Sequence, residues 1–172
     1  MKISSVVFTR TRRSIDFMPM AVERDRDARG RPKNARPRDE LGRPLPRDAD
    51  NVYVEEELPS DPMELLRIGV ENFNARRFFQ AHEAWETAWH PSPDDERNFW
   101  QGITQVAVGF THNQRGNSRG AMTLLRRGAK RIEPYGERFK GFPTAGIARA
   151  ARAAADAIER GEAVEPPSIE LA

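Results

Sequence analysis

Apolar positions from Leu65 to Phe73 recur three and four apart, at Leu65, Leu66, Ile68, Val70 and Phe73, directly after Ser60-Asp61-Pro62. That spacing keeps one face of a helix apolar. A cap residue followed by proline, which lacks the N–H that the first turn leaves unpaired, marks where the helix starts. The pattern predicts a helix over about 61–74. A second is predicted over 76–90, ending before Pro91-Ser92-Pro93, and a third over 95–114, opened by Asp94 and Asp95 and closed by Arg115-Gly116-Asn117. Ser118 opens a fourth, which turns Ala121, Leu124, Leu125, Ala129 and Ile132 inward and ends near Pro134. After a Gly-rich stretch over 136–146, an Ala-rich fifth runs from Ile147 to Arg160 and stops at Gly161. No segment alternates as a half-buried strand does. Short connections between helices favour antiparallel neighbours. The expectation is an all-α fold, an antiparallel bundle of four to five helices over 61–162, with 163–172 as a C-terminal tail. In the third helix Phe99, Ile103, Val106 and Phe110 form one stripe in an otherwise apolar stretch, which predicts a central position.

Before residue 61 the periodicity disappears. Glu23 to Asp50 carries Pro32, Pro37, Pro44 and Pro46 among Arg and Asp, with few large apolar side chains. Such a segment buries too little surface to offset the entropy of ordering it. Residues 1–60 are therefore expected to be a disordered Arg/Pro-rich extension, dispensable for folding over its first fifty residues. Met18 and Met20 are alternative starts to Met1. Charge follows the same division: the first 50 residues hold 13 Lys or Arg against 8 Asp or Glu, and the remaining 122 hold 15 against 18. A basic arm can release counterions from nucleic-acid phosphate, and so can the Arg119, Arg126, Arg127, Lys130 and Arg131 face of the fourth helix. Interleaved acids such as Asp25 and Asp27 weaken the field of the arm, and a basic helix face is commonly just solvated.

There is no cysteine, so disulfides and thiolate metal sites are excluded. No apolar run approaches the roughly 18 residues needed to span a bilayer. The start MKISSVVFTRTRR has its basic residues after a short apolar stretch, the reverse of a secretion signal. A cytoplasmic location without membrane attachment is expected. Self-association is left open.

Candidate chemistry concentrates on the second helix, FFQAHEAWETAWH. With about 100° per residue and Phe78 at zero, Trp85 falls near −20°, Trp89 near +20°, His82 near +40° and Glu86 near +80°. His82 thus sits within an aromatic face with Glu86 at its edge. Ionisable groups among two Trp and a Phe must be neutral, paired or coordinated, since leaving them bare costs roughly 2–7 kcal/mol. Residues four apart lie one turn from each other, and a His and a carboxylate so placed can share a proton or a divalent metal ion. Two readings stand: a buried His–Glu pair that locks the core, or two ligands of a metal site. The pair is expected to be mostly buried and joined directly, by an ion or by a bridging water. A metal would need more ligands, and the third helix offers His112 and Gln105 on a stripe with Gln101 and Val108. Glu83 is a weak candidate general base, by analogy with zinc helices that carry a Glu beside their first His. The second His of that motif is replaced here by Glu86. His90, further round, ranks below His112.

The stretch FNARRFFQAHEAWETAWH, then WQGITQVAVGFTH and GNSRGAMTLLRRGAKRI, resembles the bacterial and archaeal family called domain of unknown function 309. Its hallmark is a His, three residues, a Glu, two residues and an aromatic, matched by His82, Glu86 and Trp89. The resemblance covers roughly 62–135 and implies a helical bundle and a metal-binding role for the motif. It implies no substrate. The sequence therefore supports a non-catalytic interaction module with a His/Glu core network, a metal-binding protein such as a metal-dependent hydrolase, or a nucleic-acid-associating protein, and names no reaction.

Overall fold

The computed structural model describes residues 36–39, 41–50 and 57–172. Within them are five helices and no strand: α1 (Pro62–Asn74), α2 (Phe78–Trp89), α3 (Asp94–Gln114), α4 (Ser118–Ile132) and α5 (Thr144–Glu159), with a 3-10 turn over Glu133–Tyr135 after α4. The described residues all belong to one compact unit. The expected disorder of 1–60 concerns residues 1–35, 40 and 51–56 most, and these lie outside the described residues.

Local signals set the helix ends. Asp61 caps α1 by accepting from the Glu64 N–H at 2.8 Å, with Pro62 in the first turn. α4 begins at Ser118 as expected, and Asn117 before it caps the helix by accepting from the Gly120 N–H at 3.0 Å. α5 begins three residues earlier than expected because Thr144 follows Pro143 and ties its hydroxyl to the Gly136 carbonyl at 2.6 Å.

Each helix packs on the next in chain order, and the contacts run in opposite directions along each pair. Trp85 donates to the Leu66 carbonyl at one end of α1–α2, while Phe73 meets Phe78 at the other. Phe78 stands against Phe110 across α2–α3, and Trp89 against Arg97. Across α3–α4, Asn98 meets Arg131 while Gly109 faces Leu125. Across α4–α5, Arg126 meets Glu159. The bundle is antiparallel throughout. Its core holds Trp85, Trp100, Phe73, Phe78, Phe99, Phe110 and Phe142, all fully buried. Each such side chain contributes about 1.5–3 kcal/mol on burial. α3 is the central element, with ten buried residues.

The α3–α4 pair is the closest. A Cβ on Gly128 would lie 2.7 Å from the Gly102 carbonyl oxygen, and one on Gly102 would lie 2.5 Å from the Ile132 side chain. Only hydrogen at both positions lets the two backbones touch.

Both ends of the described chain dock on the bundle. Residues 163–172 have no helix or strand, yet Ile169 is buried and exchanges two 2.8 Å hydrogen bonds with the Asn74 side chain. Around Asp39 the arm forms a tight turn: the Asp39 carboxylate accepts from the N–H groups of Leu41 (3.0 Å) and Arg43 (2.7 Å), and Leu45 pairs back to Pro37. That turn rests on Phe79 of α2. Gly42 lies so close over the Phe79 ring, with a positive φ of 70°, that a Cβ would overlap it. Arg115, at the end of α3, donates to the Leu41 carbonyl at 3.1 Å, and the Arg38 and Arg115 guanidiniums stand 5.1 and 5.6 Å from the Phe79 ring centre.

Candidate functional site

α2 places Phe78, Phe79, Ala81, Ala84, Trp85 and Ala88 inward and leaves His82 at the border of the core. The His82 side chain is 16% exposed and stacks beside Phe79, ring centres 4.6 Å apart. Its Nδ1 bonds to the Phe79 carbonyl on the same helix. Since a carbonyl only accepts, Nδ1 carries the proton. Burial pushes the imidazole pKa below its ordinary value, and Arg38 and Arg115 add to that. The Phe79 carbonyl and Glu86 act the other way without reversing it. His82 is therefore neutral near pH 7, and its Nε2 presents a lone pair.

That lone pair faces the Glu86 carboxylate at 3.9 Å, longer than a hydrogen bond. Glu86 is 44% exposed, so the expectation of a mostly buried, directly bonded pair is corrected for its acid. The cause is its position: near +80° on the wheel it leaves the aromatic arc and reaches solvent. On its far side stands His90, Nε2 at 3.8 Å from the other carboxylate oxygen. His90, expected to rank below His112, has the same spacing of four from Glu86 as His82. Trp85 is fully buried with its N–H answered by Leu66. Trp89 is only partly buried and stacks on His90, and its N–H has no acceptor among the described residues. Glu83 is partly buried on the same helix, where its backbone carbonyl accepts from the Thr87 hydroxyl.

His112 and Gln105 go elsewhere. His112 sits at the α3–α4 turn, where the Asn117 amide nitrogen lies 2.8 Å from its Nδ1. Gln105 faces α4 and lines a cleft with Asn98, Arg127, Lys130, Arg131 and Pro134. Among the described residues no three His, Asp or Glu side chains converge to hold a metal. The basic face of α4 is divided. Arg126 is neutralised by Asp156 at 2.8 Å and Glu159 at 2.6 Å from α5, while Arg127, Lys130 and Arg131 turn toward the cleft.

Residues 66–124 match the model of the family described as Domain of unknown function (DUF309). The likeness to that family is confined to this segment, about a third of the chain. A Bacillus subtilis (strain 168) protein described as "Uncharacterized protein YpuF" is 37% identical over 57 residues, which are 33% of this chain and 33% of that protein. The likeness thus spans about a third of each. The DUF309 segment is narrower than the resemblance read from sequence. It contains His82, Glu86, Trp89, Gln105 and His112, but stops before Arg127, Lys130, Arg131 and all of α5. No helix among the described residues is long and apolar enough to cross a membrane.

Proposed function

We propose that this helical domain is a non-catalytic interaction module in which His82 fixes the wall of α2 that receives the chain's own arm. One observation carries the reading: the imidazole is neutral and lodged against Phe79, with its N–H answered by a carbonyl of its own helix, while the turn at Asp39 and Gly42 closes over the same Phe79 ring. A group so enclosed shapes a surface and presents only one lone pair to anything outside.

A second reading is supported by that lone pair. His82 Nε2 and the Glu86 carboxylate are both acceptors, 3.9 Å apart, so a donor or a cation must join them. A His whose other nitrogen is held by a backbone carbonyl is oriented as metal-ligating His commonly is. His82 and Glu86 could furnish two ligands to a divalent ion, which would need further donors from elsewhere. Such an ion would supply Lewis acidity and an activated water. The other donors first expected to complete the shell, His112 and Gln105, are placed on the α4 side.

Heating the untagged protein with and without a strong chelator separates the two. The module reading expects the same melting temperature in both, and a lower one for His82→Ala. If the chelator reproduces the loss seen in His82→Ala and added ion reverses it, the metal reading replaces the first.

A further inference from the structure

The α3–α4 cleft has no part in either reading, and its chemistry is specific. It encloses about 440 Å³, within the range of small-molecule sites. Its shape follows from the glycine contact. Gly102 and Gly128 let the helices touch, and the residues flanking them, Asn98 and Gln105 on α3 and Arg127 and Arg131 on α4, form the two walls. Arg131 donates to the Asn98 side-chain oxygen at 2.6 Å, which aims the guanidinium along the cleft and leaves the Asn98 amide nitrogen to donate. Arg127 and Lys130 have no acidic partner among the described residues, in contrast to Arg126 one residue away. Opposite them the Gln105 side-chain oxygen is buried and has no donor among the described residues. Buried polar atoms are almost always answered, and an exception points to a missing partner. The terminal amide torsion of Gln is soft, so that oxygen can turn toward the cleft.

We infer that this cleft binds a small phosphorylated hydroxy compound, its phosphate held by Arg127, Lys130 and Arg131 and a hydroxyl donating to Gln105. Three cations exceed what a single carboxylate would neutralise, and a phosphomonoester dianion suits them. The acceptor requires a donor, which the hydroxyls of a sugar phosphate supply at a distance from the phosphate, leaving the phosphate oxygens to the cations. The volume admits a sugar phosphate but not a duplex. The inference does not rest on His82.

The test is calorimetric titration at low salt with three probes: ribose 5-phosphate, inorganic phosphate and a single-stranded oligonucleotide. Ribose 5-phosphate should bind saturably and about tenfold more tightly than inorganic phosphate. The double variant Arg127→Ala/Lys130→Ala, altered only at exposed positions, should weaken both by about tenfold or more. Gln105→Leu should bring ribose 5-phosphate to the level of inorganic phosphate and leave the latter unchanged, with an unaltered circular-dichroism spectrum showing that it folds. His82→Ala should leave all affinities as they were. Absence of saturable ribose 5-phosphate binding, indifference to the Arg127/Lys130 change, or binding of the oligonucleotide that ribose 5-phosphate does not displace would each overturn the inference.

Discussion

His82 and Gln105 are both polar side chains on largely apolar helices, and both drew attention in the sequence as donors to one site. Their surroundings differ. His82 is answered inside its own helix by the Phe79 carbonyl and packs against Phe79, the ring on which the arm rests. The oxygen of Gln105 is buried and unanswered among the described residues, beside three cations, Arg127, Lys130 and Arg131, none of which meets an acid there. A side chain whose needs are met by the fold supports stability. One whose needs are unmet costs stability, and it persists where something else meets them. On the proposed function the first group belongs to the architecture of the domain, and on the further inference the second marks where a ligand would contribute. Substitutions should separate them by the sign of their effect.

The largest effect is expected where the architecture is tightest. Gly128→Val would drive a branched side chain into the Gly102 backbone and Val106, so the α3–α4 pair would have to part. Overpacking against backbone should cost about 3 kcal/mol, read as a lowered urea midpoint, and should abolish the cleft as well. Gly146→Ala serves as the control. It lies in α5 with nothing near the added methyl and should raise stability by up to about 1 kcal/mol. If Gly128→Val proved as mild as Gly146→Ala, the close α3–α4 contact would be wrong.

His82→Ala comes next, at roughly 1–3 kcal/mol, since it opens space beside Phe79 and orphans that residue's carbonyl. Half-exposed Glu86 contributes little to the loss, because water answers it. His82 also carries a pH signature. The folded chain holds its pKa below the ordinary 6.5, so the unfolded chain binds the proton first as the solution is acidified. Its contribution is complete above about pH 6.5 and is lost as pH falls through the folded-state pKa. In His82→Gln the fall in stability below pH 6.5 should be shallower. It should not vanish, because His112, whose pKa burial and Arg115 also lower, remains. An unchanged acid limb would show that His82 is not buried as described.

The arm supplies a smaller term. Comparing a chain that starts at residue 36 with one that starts at residue 51 isolates the Asp39–Arg43 turn and its cover over Phe79. Removing the turn should cost about 1 kcal/mol, part of the burial of one Phe set against the entropy regained by the freed segment. Equal melting temperatures would return this stretch to the dispensable role expected from composition.

That stretch shows where the sequence was legible. Helices α1 to α4 announced themselves through apolar spacing and caps, with Pro62, Pro93 and Asn117 at or beside their starts. The arm did not, because composition averages over a window, whereas Asp39 and Gly42 act singly, through one side-chain turn and one positive φ. For the site, helical geometry placed His82 beside Glu86, and the same geometry gave His90 equal spacing on the other side. It could not say which neighbour covers which face of α3. The deciding signal, Gly102 opposite Gly128, involves two residues 26 apart that carry no periodicity of their own. Gln105 was therefore expected near His82 and stands against α4 instead.

The smallest effect has the opposite sign and bears most directly on the comparison. Gln105→Leu replaces the terminal amide with methyl groups and so removes the buried oxygen that has no donor among the described residues. If that oxygen served the fold, its removal would destabilise as His82→Ala does. With no partner to lose, the substitution removes a desolvated acceptor and adds apolar contact in a wall already formed by α3 and α4. The ligand-free protein should gain up to about 1 kcal/mol, a fraction of the 1–3 kcal/mol that an unsatisfied buried group costs, because the cleft lets water relieve part of that cost. Urea unfolding in phosphate-free buffer, on wild type and variant in parallel, reads the difference. Repeating it with millimolar ribose 5-phosphate should reverse the order, since a ligand that binds only the folded wild type well stabilises it by mass action. A loss of 1 kcal/mol or more in the ligand-free variant would place Gln105 with His82 in the architecture and erase the distinction between the two regions.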